Sequence, residues 1–207
     1  MTKIFNKDEG FTGLEAAIVL IAFVVVAAVF SYVVLGAGFF TTQKAQQVIY
    51  TSVDQASSSV EIMGDVYGIN TTADPGYEYI RFTVGLTSGG SPVDFSQTTM
   101  AFSSQEYNGV EYLTNVYPTT KPTTDPTATA SIISAITPKK WGVVLINNGN
   151  ANDLLLENQE QFVIYAHPTH GVVANEKFNL EISPAVGTSY VVARKAPARV
   201  SDVDVLY

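Results

Sequence analysis

The most informative part of this chain is Ala16-Ala-Ile-Val-Leu-Ile-Ala-Phe-Val-Val-Val-Ala-Ala-Val-Phe-Ser-Tyr-Val-Val-Leu35. It lies within residues 16–43, which contain no charged side chain. A helix needs about 20 apolar residues to cross a bilayer, and this stretch is long enough. An ordinary secretory signal has an apolar region of only roughly 7–15 residues. The stretch follows a short polar leader that carries Lys3, Lys7, Asp8 and Glu9. The pattern predicts a hydrophobic helix that acts as a membrane anchor or as a polymerisation stalk.

The helical pattern continues beyond the apolar stretch. Between residues 43 and 67, apolar side chains recur at the steps of three and four that define one helix face: Val48, Ile49, Val53, Ala56, Val60 and Met63. We therefore predict one helix over residues 14–63, loosened at Gly36 and Gly38. Its length would be roughly 75 Å, more than the core of a single small globule requires. Such a helix needs apolar surroundings from outside its own chain, either lipid or other helices.

Composition argues against several classes of function. The formal net charge is −8 and the isoelectric point about 4.6, whereas nucleic-acid binding needs clustered Lys and Arg. Cysteine is absent, so neither a disulfide framework nor thiol chemistry is available. The sequence also contains no Gly-rich phosphate loop, no G-x-S-x-G elbow and no H-E-x-x-H helix. We therefore predict no nucleic-acid partner, no cofactor and no enzyme.

After the turn-rich link over residues 68–76, the pattern changes from helical to strand-like. Apolar residues alternate with more polar ones over residues 79–86, which is the period-two pattern of a half-buried strand. Further strands are predicted at residues 98–103, 110–116, 141–147, 161–166, 176–182 and 189–194. Several short strands separated by Gly, Pro and Asn turns predict a β-sandwich or a small barrel.

The predicted fold class is therefore α+β: a long N-terminal hydrophobic α-helix followed by an antiparallel, Ig-like β-sandwich or barrel domain. We predict a leader at residues 1–10, a hydrophobic and then amphipathic helix at residues 11–67, and a β-domain at residues 77–207. The Thr- and Pro-rich residues 118–127 are predicted to form an exposed loop.

The N-terminal residues carry a family resemblance. A charged leader that ends Lys7-Asp-Glu-Gly10 is followed by Phe11-Thr-Gly-Leu-Glu15 and then by the apolar helix, an order that resembles a class III, type IV pilin-like signal. The run over residues 11–23, the segment Gln43-Lys-Ala-Gln-Gln47 and the strand motif Phe82-Thr-Val-Gly-Leu-Thr-Ser-Gly-Gly90 are similar to archaeal flagellins (archaellins) of methanogens. The resemblance is strongest over residues 7–90 and looser across the C-terminal half.

The resemblance implies a structural subunit of the archaeal flagellum, a filament for swimming motility. In that family a prepilin-type signal peptidase would cut between Gly10 and Phe11 on the cytoplasmic side and leave the helix on the mature subunit. Precursors would wait in the lipid bilayer of the cytoplasmic membrane, and a membrane assembly and motor complex would build and rotate the extracellular filament. Helices would form the filament centre and β-domains its outer shell, as a homopolymer or mixed with paralogous subunits.

Glu15 is the one charge in the apolar zone, and two interpretations of it stay open. Thr12-Gly-Leu-Glu15 has the pattern of a capping box, with the carboxylate at the positive end of the helix dipole. In the other interpretation, the carboxylate pairs with the new α-amine of Phe11, in the same or a neighbouring subunit. Because an unpaired buried carboxylate is costly, that pairing would set the register of assembly. The two roles are compatible.

Candidate metal and modification sites are sparse. His167-Pro-Thr-His170 offers two imidazoles, but its Pro and Thr indicate a surface turn rather than a metal site. Residues 147–153 are rich in Asn and Asp but lack the spacing of an EF-hand. They therefore favour a hairpin turn over a Ca²⁺ site. Asn70-Thr-Thr72 is the single N-x-[ST] sequon and predicts N-glycosylation on the exposed link. The Thr-rich residues 119–129 are a weaker candidate for O-glycans.

Two other functions stay open on the residues alone. An adhesion pilin of the type IV kind would share the leader and the helix, although residues 82–90 and the larger β-domain favour a flagellin. A membrane-anchored extracellular ligand-binding domain would instead keep residues 16–38 permanently in lipid. That protein would have to use the amphipathic continuation to Met63 as a stalk, and its leader would still resemble a peptidase site.

Overall fold

The computed structural model describes residues 13–72, 75–107 and 109–207. The chain divides into two compact units at residue 51, and the second unit, here called the β-domain, is Ser52–Tyr207. The leader predicted at residues 1–10 lies outside the described residues.

Helix α1 covers Gly13–Ser57, which is 45 residues and about 68 Å at 1.5 Å per residue. The predicted long helix is confirmed over this range, but it runs through Gly36 and Gly38 without a break. Its predicted end at Met63 is wrong. Val60 is buried and pairs with Leu86 in the sheet, so the apolar spacing beyond Ser57 belongs to a strand rather than to a helix face.

Within its described residues, the β-domain contains short strands, two 3-10 turns and one short helix, α2 (Thr129–Ala135). The strands are β1 (Val60–Ile62), β2 (Val66–Ile69), β3 (Gly76–Tyr77), β4 (Tyr79–Leu86), β5 (Val93–Asp94), β6 (Thr99–Ser104), β7 (Glu111–Asn115), β8 (Lys140–Asn147), β9 (Leu155–Leu156), β10 (Gln161–His167), β11 (Val172–Val173), β12 (Lys177–Ser183), β13 (Tyr190–Lys195) and β14 (Val203–Leu206).

Ten of these strands form one sheet, in the order β13-β12-β6-β7-β8-β10-β4-β2-β14 with β1 paired to β4. Neighbouring strands are antiparallel except β7 and β8, which are parallel. Lys195, at the end of β13, and Tyr207, just after β14, exchange two backbone hydrogen bonds of 2.6 and 3.1 Å. The two edges of the sheet therefore meet. Of the predicted sandwich or barrel, the structure shows a nearly closed barrel, which leaves few unpaired edge groups.

All the strands predicted from alternation and turn signals are present, each with ends within one residue of the prediction. The pattern missed β1, β2 and β14 of the main sheet and the two-residue strands β3, β5, β9 and β11, because each is too short to show a clear alternation. In β2, for example, Gly68 lacks a side chain to signal a strand, and the ring of Tyr77 packs directly on its Cα.

The main core fills the inside of the barrel. Along β4, the alternating residues Ile80, Phe82 and Val84 are buried, as predicted, while Arg81 and Thr83 are half-buried on the other side. Strand β12 shows the same alternation with Phe178, Leu180 and Ile182 inside. The largest buried side chain is that of Trp141, whose Nε1 has no hydrogen-bond partner among the residues that the structure describes. Closing the sheet on itself is what lets one set of alternate residues form a continuous core.

A second, smaller cluster lies on the opposite side of the sheet, where residues 116–137 cross it. Ile132 and Ile136 pack there against Tyr79 of β4 and Val144 of β8. The predicted exposed loop at residues 118–127 is mostly exposed, but Thr123 bonds the backbone of β8 on both sides, to Val144 O and from Ile146 N. This segment therefore covers one part of the outer surface of the barrel.

Candidate functional site

The surface that the structure leaves unpartnered is helix α1, in which no residue is buried. Its large apolar side chains are strongly exposed, from 47% at Val19 to 79% at Tyr32. Among the described residues, α1 is also the one helix long and apolar enough to cross a membrane. A helix that is apolar all round is stable only when lipid or other helices surround it. The candidate functional site is therefore this helix surface.

Two threonine hydroxyls at the end of the apolar part of α1 are satisfied within the helix itself. Thr41 Oγ1 donates to Ala37 O at 2.8 Å, and Thr42 Oγ1 donates to Gly38 O at 2.9 Å. These hydroxyls therefore need no partner outside the helix. The first ammonium group after the apolar zone, Lys44 Nζ, donates to Gln47 Oε1 at 3.0 Å. The helix thus keeps an apolar surface up to about residue 43 and becomes polar from there on.

Gly36 and Gly38 leave a part of the helix surface without side chains. A Cβ added at Gly36 or Gly38 would meet no atom within 4 Å, so neither glycine is required by contacts within the described chain. A glycine inside a helix costs about 1 kcal/mol relative to alanine. Small residues do, however, allow two helix backbones to approach closely. The chemistry of α1 is therefore that of a helix-packing surface.

The residues predicted for processing and assembly lie at the start of α1. Gly10 and Phe11 fall outside the described residues, as does Thr12 of the capping-box pattern. Glu15 is described and lies exposed in the first turn of the helix, where a carboxylate interacts favourably with the helix dipole. The geometry of the predicted pairing between Glu15 and Phe11 is thus not part of the described structure, and the pairing stays a prediction.

The sequon Asn70-Thr71-Thr72 directly follows strand β2. Asn70 Oδ1 accepts a hydrogen bond from Thr72 N at 3.1 Å, and Asn70 N donates to Asp202 O at 2.9 Å. Asn70 is half-buried, whereas Thr71 and Thr72 are exposed. Thr71 Oγ1 also donates to Glu78 Oε2. The sequon therefore lies in a short ordered turn at the surface, and its glycosylation stays a prediction.

His167 and His170 do not share a plain surface turn, so the sequence-based interpretation is wrong for His167. His167 ends β10 and is only 6% exposed. Its Nδ1 lies 2.8 Å from Ile136 O, its Nε2 lies 3.6 Å from Glu78 Oε1, and its ring lies 4.4 Å from that of Tyr79. Burial raises the pKa of Tyr79, and Glu78 adds to this effect. The sequence did not reveal that His167 is buried, because its neighbours Ile136 and Glu78 lie in distant segments of the chain.

A cleft of about 460 Å³ opens beside these residues, lined by His167, His170, Glu78 and three prolines. The ring of His170 packs against that of Tyr107, with ring centres 5.0 Å apart. Among the described residues, no three His, Asp or Glu side chains are arranged to hold a metal ion. The neighbouring hydroxyl of Thr169 is bonded to Glu111 rather than to His167. Among the described residues, the Thr169 hydroxyl and the His167 ring are therefore each held by a different partner.

The predicted hairpin turn at residues 147–153 begins a longer connection between the paired strands β8 and β10. Asn147 pairs with Gln161, and the connection between them includes β9. Asn148 adopts the positive φ that was expected of an Asn in this turn, at 58°. Asn152 bonds Asn150 Oδ1 through both its backbone and its side-chain nitrogen. These oxygens and amides organise the turn itself.

Comparison with known proteins agrees with this reading of α1. The sequence model of the archaeal-type flagellin family matches residues 10–194. "Probable flagellin 1" of Archaeoglobus fulgidus is 34% identical over 209 residues, covering 99% of this chain and 98% of that protein. A "24 kDa flagellin" of Methanospirillum hungatei is 91% identical over 32 residues, which is 16% of this chain.

A solved structure described as the archaeal flagellum of Methanospirillum hungatei has 34% identity and a TM-score of 0.70, covering 95% of this chain and 100% of that one. The match therefore extends over the helix and the barrel together. Because the family model spans most of the sequence and a relative of the same length is 34% identical, this chain belongs to the archaeal-type flagellin family.

Proposed function

We propose that this chain is the structural subunit of an archaeal flagellum, an extracellular helical filament for swimming motility. The observation that carries the proposal is α1, an apolar helix of 45 residues in which nothing is buried. The likeness to the flagellum of Methanospirillum hungatei supports polymerisation through this helix. In this role the protein is structural and has no catalytic step.

Assembly would exchange lipid around α1 for neighbouring copies of α1. In lipid the helix is stable because its backbone polar groups bond within the helix. In water, each exposed CH₂ costs about 0.8 kcal/mol relative to burial, so the free helix does not leave the membrane alone. A contact between two different patches that does not close into a ring produces a helical polymer. The same apolar surface thus serves first as an anchor and then as the filament centre.

We further propose that a prepilin-type signal peptidase removes residues 1–10 by cutting between Gly10 and Phe11. The leader residues Lys7-Asp-Glu-Gly10 support this assignment, since glycine leaves the backbone accessible at the cut. The precursor pool would lie in the cytoplasmic membrane, where a membrane assembly and motor complex would take up the subunits. Residues 77–207 would then form the outer β-domain of the filament, and Asn70 would carry an N-glycan.

Glu15 provides a test that separates its two proposed roles. Glu15→Ala removes both the carboxylate and the capping-box acceptor, so we expect slower filament assembly with unchanged leader removal. Glu15→Gln keeps the shape and hydrogen-bonding capacity of a capping residue but loses the charge. If pairing with the Phe11 amine sets the register, Gln fails as Ala does; if capping dominates, Gln restores assembly. Filament yield and N-terminal sequence measure the two steps, and normal yield with Ala would reject both roles.

The first experiment is electron microscopy of filaments sheared from the native cells, with N-terminal sequencing of their major protein. A thin uniform filament whose subunit begins Phe-Thr-Gly-Leu-Glu would support processing and polymerisation together. Mass spectrometry of the peptide that contains Asn70 tests the glycan on the same sample. A chain that keeps its leader and stays in the membrane fraction would overturn the proposal in favour of an anchored binding domain.

A further inference from the structure

The outer side of the barrel sheet differs between its two halves. Over β4, β8 and β10, residues 116–137 pack a second apolar cluster that includes Ile132 and Ile136. Over β6, β7, β12 and β13, the outward-pointing residues are exposed or half-buried. Residues 116–137 therefore cover one half of the outer sheet surface, and the other half is exposed and available to a partner.

The open half carries few charges for an acidic protein. Cross-strand pairing places Val191, Glu181, Ala101 and Tyr112 in one row across the four strands. Tyr112 is 70% exposed and Val191 is 53% exposed. We call this surface the open sheet face; it consists of Ala101, Ser103, Tyr112, Asn179, Glu181, Val191 and Ala193. Tyrosine with few charged neighbours is characteristic of protein–protein interfaces.

One end of the open sheet face is basic. Lys177 and Lys195 are directly opposite each other on β12 and β13, and both are exposed. Among the described residues, neither ammonium group makes an ion pair. Like charges directly opposite each other on an antiparallel pair destabilise the sheet. The lysine pair, Lys177 and Lys195, therefore costs stability in the isolated subunit, and an external carboxylate would remove that cost.

The same chain offers such carboxylates elsewhere. No Lys or Arg occurs over residues 141–176, and within this region residues 153–160, here the acidic loop, carry Asp153, Glu157 and Glu160. Asp153 and Glu157 are exposed, whereas Glu160 is half-buried and its Oε2 accepts a hydrogen bond from Glu157 N at 2.9 Å. The carboxylates of Asp153 and Glu157 accept no hydrogen bond within the described chain. Both are thus available to a partner.

We propose that the open sheet face binds the acidic loop of a second copy of this chain, with Lys177 and Lys195 facing Asp153 and Glu157. The inference rests on the proposed filament, in which copies are held at high local concentration and contacts join unlike patches. The contact uses charge complementarity between two separate surfaces of one sequence. Tyr112 and Val191 supply the exposed apolar area of the open sheet face. It stabilises the filament and sets how neighbouring β-domains engage.

The sharpest test is Lys195→Glu, which should act in opposite directions on the subunit and on the filament. In the isolated subunit it replaces a Lys–Lys repulsion by a Lys177–Glu attraction, so we expect the unfolding temperature in detergent to rise or stay the same. In filaments it places a carboxylate against the acidic loop, so we expect the disassembly temperature to fall by several degrees. Lys121→Glu is the matched control, since Lys121 is exposed and belongs to residues 116–137, which cover the other half of the sheet.

A compensating exchange identifies the partner surface. Filaments that carry Lys177→Glu and Lys195→Glu should regain thermal stability when Asp153→Lys and Glu157→Lys are added, because the ion pairs are then restored with reversed sign. After the exchange, salt should again lower the disassembly temperature as it does in wild-type filaments, because salt screens the restored ion pairs. Each variant is made in cells that have it as their sole flagellin, with full-length subunits and wild-type filaments measured in parallel.

The outcomes separate this contact from the filament proposal. Equal effects of Lys195→Glu and Lys121→Glu on filaments would overturn the contact, as would failure of the compensating exchange. Unchanged filament stability with loss of adhesion to cells or solids would show that the open sheet face serves another partner, and would also overturn it. If the wild-type chain forms no filament at all, the proposed function itself fails and not the contact alone.

Discussion

Tyr77 links β3 through its hydroxyl to the last strand of the barrel, β14, in addition to the backbone pairing of β14 with β2. Its side chain is fully buried against Gly68, and its hydroxyl donates to Asp204 Oδ2 at 2.6 Å. The same oxygen accepts from Ser201 N, also at 2.6 Å. Burial, followed by the bond to Asp204, raises the pKa of Tyr77 well above its ordinary value. The bond from Tyr77 is in turn the main reason that the pKa of Asp204 lies below its usual range.

Tyr77→Phe should lower the free energy of unfolding by roughly 1–2 kcal/mol at neutral pH, because the charged acceptor Asp204 loses the hydrogen bond that the Tyr77 hydroxyl donates. The folded pKa of Asp204 is depressed, so its contribution is present above the unfolded value of about 4 and is lost as pH falls. The raised pKa of Tyr77 adds an alkaline limit: wild-type stability falls as pH rises above about 10. Unfolding of the full chain in detergent across pH measures both effects.

Tyr112→Phe is the matched control, since the hydroxyl of Tyr112 is exposed and makes no hydrogen bond in the described chain. Its unfolding should resemble that of wild type at every pH. If Tyr77→Phe gave the same pH profile as Tyr112→Phe, the proposed role of the Asp204 bond would be wrong.

At the scale of elements, α1 shows how a helix can be specified for a partner that the chain itself does not supply. Its strong apolar character follows from the residues between Ala16 and Leu35. Gly36 and Gly38 weaken the isolated helix by about 1 kcal/mol each, and a Cβ added at either would meet no atom within 4 Å in the described chain. Because these glycines lower helix stability and no contact within the described chain requires them, we infer a role in close helix packing.

Gly38→Leu tests that role. In detergent, the subunit should keep or gain helicity, because leucine is a better helix former than glycine and the site has room. In the filament, the added side chain should hold neighbouring helices apart, so we expect filament yield to fall severalfold. Circular dichroism and electron microscopy measure the two properties.

Val34→Leu serves as the control for this substitution, because it adds one methylene at a position of α1 that is already large. Normal filaments with Gly38→Leu would mean that no close helix contact forms at this glycine. Filament loss in both variants would mean that α1 tolerates no added volume at either place.

At the scale of the whole molecule, the chain separates a surface for assembly from a domain that folds around its own core. The second unit, Ser52–Tyr207, contains every strand of the ten-stranded sheet and both apolar clusters. A closed sheet with an interior core has the features of an independently folding domain. The division predicts that the two properties can be taken apart.

A chain that begins at Ser52 should therefore be soluble without detergent, unfold cooperatively and form no filaments. Analytical ultracentrifugation, thermal unfolding and electron microscopy check these three outcomes. The full-length chain carried through the same steps is the reference. Filaments from the shortened chain would show that α1 is not the polymerising element, whereas an unfolded product would show that the barrel needs residues before Ser52.

The long apolar helix and the main strands can be recognised from the order of the residues. Helix and strand periodicities are local properties, so the apolar run after Ala16 and the alternation along residues 79–86 could be recognised without any tertiary contact. The family resemblance at residues 7–15 and the absence of catalytic motifs are likewise read from short stretches of the sequence.

Tertiary structure alone decided where α1 ends, how the barrel closes and what surrounds His167. Val60 fits a helix face by spacing, yet its pairing with Leu86 makes it a strand. The bonds between Lys195 and Tyr207 close the sheet, although neither residue signals a strand partner. His167 is buried because Ile136 and Glu78 reach it from other segments. Pairings between distant residues leave no periodic trace in the chain, and for that reason only the folded molecule reveals them.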